Sequence, residues 1–232
     1  MQQTALNLIA IGVFVVTMSS LLTPVLPISP LIPAGFTLTV LSLTTIDTFA
    51  WQGRGVNILL DWVAGFSPEH RERIVHHEAG HFLVAYFLGV PITGYTLSAW
   101  ETWRKGYTGL GGVVFQTEDL SQQAIPPSEI RLVLDRFCTV WMAGIAAENL
   151  VYDQAQGGAE DRQKVQAALV TFGRPSSEAQ IKERWAQIQA TTMLQKYWQA
   201  YEALVEAMST KASVTECYQA IQKHCQEEKV SS

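Results

Sequence analysis

The chain has 232 residues, 48% of them hydrophobic and only 16% charged, where an average soluble domain carries about a quarter. The deficit is local: residues 1–46 contain no Asp, Glu, Lys or Arg, Asp47 is the single charge in the first 50, and 36 of the 37 charged residues fall in the remaining 182. That distribution argues against a simple soluble protein and against a polytopic transporter, since only the first fifth could live in lipid, and a net charge of −5 with no basic cluster argues against a nucleic-acid partner. Cys138, Cys217 and Cys225 form no CxxC pair and no even framework, which points to a reducing compartment.

In chain order, residues 5–22 are nearly continuous apolar sequence and a second such segment runs over 31–50. Each reaches roughly the 20 residues a membrane helix needs. Prolines at 24, 27, 30 and 33 lie between them, at a spacing that suits an extended turn rather than helix interior. The reading is a transmembrane helical hairpin over residues 1–52. A cleaved signal peptide is disfavoured, because the amino end has no Lys or Arg and no small-x-small site precedes a polar region. One span plus a buried or re-entrant segment is the other alternative. The first basic residues, Arg54, Arg71 and Arg73, follow the second segment. They predict an integral membrane protein whose globular part is cytoplasmic, or on the equivalent stromal or matrix side.

Residues 53–66 read as an amphipathic linker. Ser67-Pro68-Glu69 combines an N-cap, a first-turn proline and an acid at the positive helix end, and predicts a helix running to about Leu88 and stopping at Gly89. Over 92–116, ITGYTLSAW and GGVVFQ read as two short strands or a β-ribbon, separated by a glycine-rich, charged stretch. Helix is expected again over 128–152 and from about Ala159. Pro175-Ser176-Ser177-Glu178 opens the last long helix, whose Ile181, Trp185, Ile188, Leu194, Trp198, Tyr201, Val205 and Met208 recur at three and four as a packing face. The fold class is mainly α with a small β-ribbon. Its globular domain spans 67–225, followed by a flexible charged tail at 226–232.

The chemistry lies in the first helix of that domain, in His77-Glu78-Ala79-Gly80-His81. Two histidines four apart lie on one helix face, so their imidazoles can converge on one metal ion, with the intervening Glu offset toward the open position. Zinc fits two neutral imidazoles, a carboxylate and an exchangeable water. Glu78 would take the proton of the metal-activated water, which then attacks a polarised carbonyl: hydrolysis. His76 points off the ligand face and reads as an ordinary surface histidine.

The stretch from His77 to His81 with its apolar continuation resembles the HEAGHALV segment of the FtsH-type membrane zinc proteases. Ala143-Gly144-Ile145-Ala146-Ala147-Glu148 resembles that family's GGRAAEE helix, and Gly157-Gly158-Ala159-Glu160-Asp161 its TGA-x-ND segment. The resemblance covers about residues 67–210, a helical zinc-metallopeptidase domain, and extends to the layout of the amino-terminal membrane segments. It implies Zn2+ as cofactor and Asp161 as third ligand, a carboxylate presented from the first turn of a helix. Glu160 stands where the family has Asn, so the adjacent acid stays a candidate. So does Glu148, read mainly as an acid supporting a ligand. Gly112, Val113 and Val114 resemble the family's edge strand, where a peptide substrate could add as a strand; an ordinary hairpin arm is the equal alternative.

The departure is that only about 20 residues separate the second apolar segment from the HExxH helix, where the family places an ATPase module. No G-x-x-x-x-G-K-[ST] and no Gly-Lys occur in the chain. The expectation is therefore an ATP-independent membrane metalloendopeptidase acting on unfolded or flexible polypeptides, alone, as a homo-oligomer or beside other membrane proteases. The alternative is a noncatalytic membrane partner or scaffold that retains the fold. An intramembrane protease is weaker, because charged Glu69 to Arg73 lead into the motif.

Overall fold

The computed structural model describes residues 2–22, 29, 31–50, 54–65, 67–107, 111–116 and 127–231. In chain order its elements are α1 (Gln2–Leu22), α2 (Leu31–Ala50), α3 (Arg54–Ala64), α4 (Pro68–Leu88), β1 (Ile92–Thr96), α5 (Ala99–Arg104), β2 (Gly112–Phe115), α6 (Pro127–Tyr152), α7 (Ala159–Thr171), α8 (Ala179–Lys196), α9 (Trp198–Ser209) and α10 (Val214–Ser231), with a 3-10 turn at Ser176–Glu178. The chain divides into two compact units: Met1–His70 with Ser98–Leu110, and Arg71–Leu97 with Gly111–Ser232.

In the first unit, α2 is long and apolar enough to cross a membrane, whereas the apolar stretch of α1 is the shorter Ile9–Leu22. Among the described residues, α2 is the one helix that qualifies as a span by length and composition. The threonines of α2 are accommodated by bonding backwards: Thr37, Thr39, Thr44, Thr45 and Thr48 each donate to the carbonyl four residues earlier. The proline turn at 24, 27 and 30 lies outside the described residues, and Pro33 sits in the first turn of α2, where a missing N–H costs nothing. Asp47, buried near the end of α2, accepts from the Gly55 N–H at 2.8 Å and the Val56 N–H at 3.0 Å. The lone acid of the apolar region is therefore the N-terminal cap of α3.

In the second unit, α6 is buried between Cys138 and Ala147 except for the half-buried Trp141, and it serves two clusters at once. Val140, Ala143, Ala146 and Ala147 pack with Phe82, Leu83 and Val84 of α4, Leu194 of α8, Tyr201, Leu204 and Met208 of α9 and Ile221 of α10. Leu134, Cys138, Met142 and Ile145 pack with Val165 and Leu169 of α7 and Ala179 and Ala186 of α8. β1 and β2 pair antiparallel, Tyr95 opposite Val113 and Thr96 opposite Gly112, with an irregularity between Ile92 and Gly94.

Several expectations are corrected. The first strand ends at Thr96 rather than running to Trp100, and α5 follows it. The last long helix is broken at Tyr197, whose ring stacks on Phe87 at 3.8 Å. Its expected packing face is also wrong at the start: Ile181 and Ile188 are 73% and 63% exposed, and Ala179, Ala186 and Ala190 face inward instead.

Candidate metal centre

The start of α4 follows from its sequence, with Ser67 Oγ accepting the His70 N–H at 3.3 Å and Pro68 as the first helical residue. Its 3.6-residue period stacks His77 and His81, whose ring centroids are 4.7 Å apart. His81 Nδ1 lies 2.7 Å from the Val140 carbonyl oxygen of α6. A carbonyl can only accept, so Nδ1 carries a proton and Nε2 is the nitrogen left to face a metal. His77 Nδ1 lies 2.7 Å from Glu148 Oε1, which orients that ring in the same sense.

Both Nε2 atoms meet one carboxylate oxygen. Asp161 Oδ2, in the first turn of α7, is 3.1 Å from His77 Nε2 and 3.4 Å from His81 Nε2, and Asp161 is only 5% exposed. Its other oxygen is held by Lys164 Nζ at 3.0 Å. Glu160, the neighbouring candidate, is exposed. Glu148 touches His77 on the Nδ1 side alone and is otherwise committed to the 153–158 loop. It accepts from the Gln156 N–H at 2.9 Å and the Gly157 N–H at 3.1 Å, and Arg73 lies 3.8 Å away. Glu78 completes the group: ligand-capable atoms of His77, Glu78 and His81 all lie within 4.8 Å of one another. The Glu78 carboxylate accepts the Val113 N–H of β2 at 3.0 Å, on the strand edge away from β1.

The electrostatics follow from this packing. Burial alone would lower His77, but Asp161 and Glu148 on its two nitrogens outweigh it and push it up to about 10, so a metal bound at Nε2 would have to displace the proton shared there with Asp161. Burial alone would raise Asp161, yet the two histidines and Lys164 hold its carboxyl well below the usual range. Glu148 is likewise lowered, the His77 and backbone hydrogen bonds overcoming desolvation. A buried, convergent set of two imidazoles and a carboxylate, each fixed by an outer partner, has the donor chemistry of a zinc site.

The close approach of α4 and α6 depends on glycine. A Cβ on Gly144 would stand 2.4 Å from His77 Nε2, and one on Gly80 would stand 2.6 Å from the Ala143 carbonyl oxygen. His76 faces elsewhere, with Nδ1 2.8 Å from the Tyr201 hydroxyl, and burial lowers its pKa.

The structure thus brings His77, Glu78, His81, Asp161 and Val113 together, sets Gly112 and Val114 on either side of Val113, and leaves Glu160 and His76 out. Beyond Glu148, sequence reasoning missed two residues that hold the site in place, Arg73 and Lys164. Arg73 precedes His77 by four residues on the same helix, donates to the Gln154 carbonyl at 3.2 Å and covers the Tyr152 ring at 4.0 Å. Lys164 follows Asp161 by three. Both spacings are signals that a helical reading offers.

No protein-family model matches the chain. Over 105 residues it is 32% identical to the protein named ATP-dependent zinc metalloprotease FtsH 1 of Methylacidiphilum infernorum, a match that covers 44% of this chain and 15% of that protein. The chain therefore spans a small part of the relative's length, and the similarity is to a zinc metalloprotease at a distance.

Proposed function

We propose that the protein is a membrane-anchored zinc metalloendopeptidase that cuts unfolded or flexible polypeptides without ATP. The observation that supports this best is the meeting of His77 Nε2 and His81 Nε2 on Asp161 Oδ2 with Glu78 alongside. His77, His81 and Asp161 would hold the metal, which when bound supplies Lewis acidity toward a water and a peptide carbonyl. Glu78 is the proton acceptor: its carboxylate can take a proton from the attacking water and return it to the leaving amine nitrogen. The Val113 N–H steadies that carboxylate, and the outer edge of β2 offers main-chain pairing for an extended peptide. Such pairing requires an unfolded segment, which is why folded substrates should resist. Membrane attachment is supported by α2, and action without ATP by the short connection between α2, ending at Ala50, and α4, starting at Pro68, which leaves no room there for an ATPase module.

The test is Glu78→Gln. This variant should keep stoichiometric zinc and lower hydrolysis of an unfolded protein by about a hundredfold or more, with added ATP making no difference to either protein. If zinc-loaded wild type hydrolyses unfolded protein no faster than Glu78→Gln, the noncatalytic partner becomes the better account.

A further inference from the structure

Helix α5 has a surface that the metal centre does not explain. It turns Ala99 and Thr102 inward, at 3% and 1% exposure, and leaves Trp100 and Trp103 outside at 53% and 57%. This inverts the usual ordering, since an indole removes about 150–250 Å2 from water and is among the residues that gain most by burial. The fold of α5 is locally secure: Ser98 Oγ caps the Glu101 N–H at 3.2 Å, and Thr102 Oγ1 donates to the Ser98 carbonyl at 2.9 Å. The outward indoles therefore belong to a well-formed helix. Their ring centroids lie 4.9 Å apart, so they make one aromatic patch, and Arg104, Lys105 and Tyr107 are exposed beside it.

The neighbours say what covers that patch. α5 belongs to the same compact unit as α1, α2 and α3; it packs on α3, and α3 packs on both α1 and α2. α3 begins four residues after α2 ends, and the Asp47 carboxylate near the end of α2 binds its first amides. Where α2 crosses a bilayer, α3 starts at the boundary, and α5 beside it lies at the same level. That layer suits Trp and Tyr, whose rings leave water while the N–H or O–H stays hydrated, and cations there meet lipid phosphate.

We infer that α5 is a membrane-interface anchor, with Trp100, Trp103 and Tyr107 seated in the headgroup layer of an anionic bilayer and Arg104 and Lys105 against its phosphates. The inference rests on the membrane-anchored reading above and adds a second attachment to it. It also places that attachment within the chain connection that joins β1 to β2.

The test uses the full chain reconstituted in phosphatidylcholine–phosphatidylglycerol vesicles, and compares the fluorescence of wild type with Trp100→Phe/Trp103→Phe. The difference spectrum isolates two of the seven tryptophans. Lipids brominated high on the acyl chain should quench that difference about twofold or more, with little effect from bromines at the chain end. Aqueous acrylamide should quench it less in vesicles than in detergent. Arg104→Glu/Lys105→Glu should weaken the shallow quenching in anionic vesicles and leave it unchanged in purely zwitterionic ones. Circular dichroism melting confirms that each variant is folded. Carbonate extraction of the same vesicles separates the two readings. Retention with a difference spectrum open to acrylamide and untouched by bromolipid overturns the α5 anchor while the span stands. Release of full-length protein overturns the span and the anchor together.

Discussion

Gly144 shows how little room the metal centre leaves. Alanine is the better helix former by about 1 kcal/mol, so on propensity Gly144→Ala should strengthen α6. Its methyl would instead occupy the space of the His77 ring, 2.4 Å from Nε2. The expected result is a protein that stays helical and loses at least about tenfold in zinc affinity, the scale on which supporting residues act. Competition against a chelating zinc dye measures it, with Asp161→Ala as the stronger comparison and Glu160→Ala as the neutral one. Unchanged affinity in Gly144→Ala would mean that His77 does not bind through Nε2.

At the scale of elements, α8 carries the clearest lesson about packing. Large apolar residues at helical spacing suggest an inward face, yet α8 lies so close along α6 that alanines occupy the contact and Ile181 and Ile188 remain outside. Ala186→Leu should therefore cost about 1–3 kcal/mol through overpacking, and Ile188→Ser should stay within about 0.5 kcal/mol. Urea titrations followed by circular dichroism decide it, and a severe loss in Ile188→Ser would restore the original expectation. Other elements were legible because a single local rule governs them. α4 starts at Pro68 and ends before Gly89 as the cap and stop residues dictate, and β2 and α7 lie where expected. The pairing of His77 with His81 was equally legible, being a matter of helix period. α5 was missed although Ser98-Ala99-Trp100-Glu101 has the spacing of a capping box, because the alternation of the preceding strand masked it. The break at Tyr197 and the grip of Glu148 on the 153–158 loop depend on contacts distant in sequence, which no local pattern encodes.

For the molecule as a whole, the cysteines report on burial. Cys138 and Cys217 form no disulfide, and desolvation pushes each thiol from an ordinary 9.0 up to about 11. The folded chain thus keeps protons that the unfolded chain releases between those values. The resulting stabilisation is complete below about pH 9 and is lost as pH rises toward 11. Melting temperatures of wild type should fall more steeply across that window than those of Cys138→Ala/Cys217→Ala; parallel slopes would show that both thiols are hydrated. Cys138 lies on α6, the helix that feeds both apolar clusters and also supplies the Val140 carbonyl and Glu148 to the two histidines. The consequence is cooperativity. Melting one cluster alone would expose a face of α6 that is buried when both are formed, so the two should unfold together. Because α6 also holds both histidines, free energy gained at the metal centre should be shared by the whole folding unit.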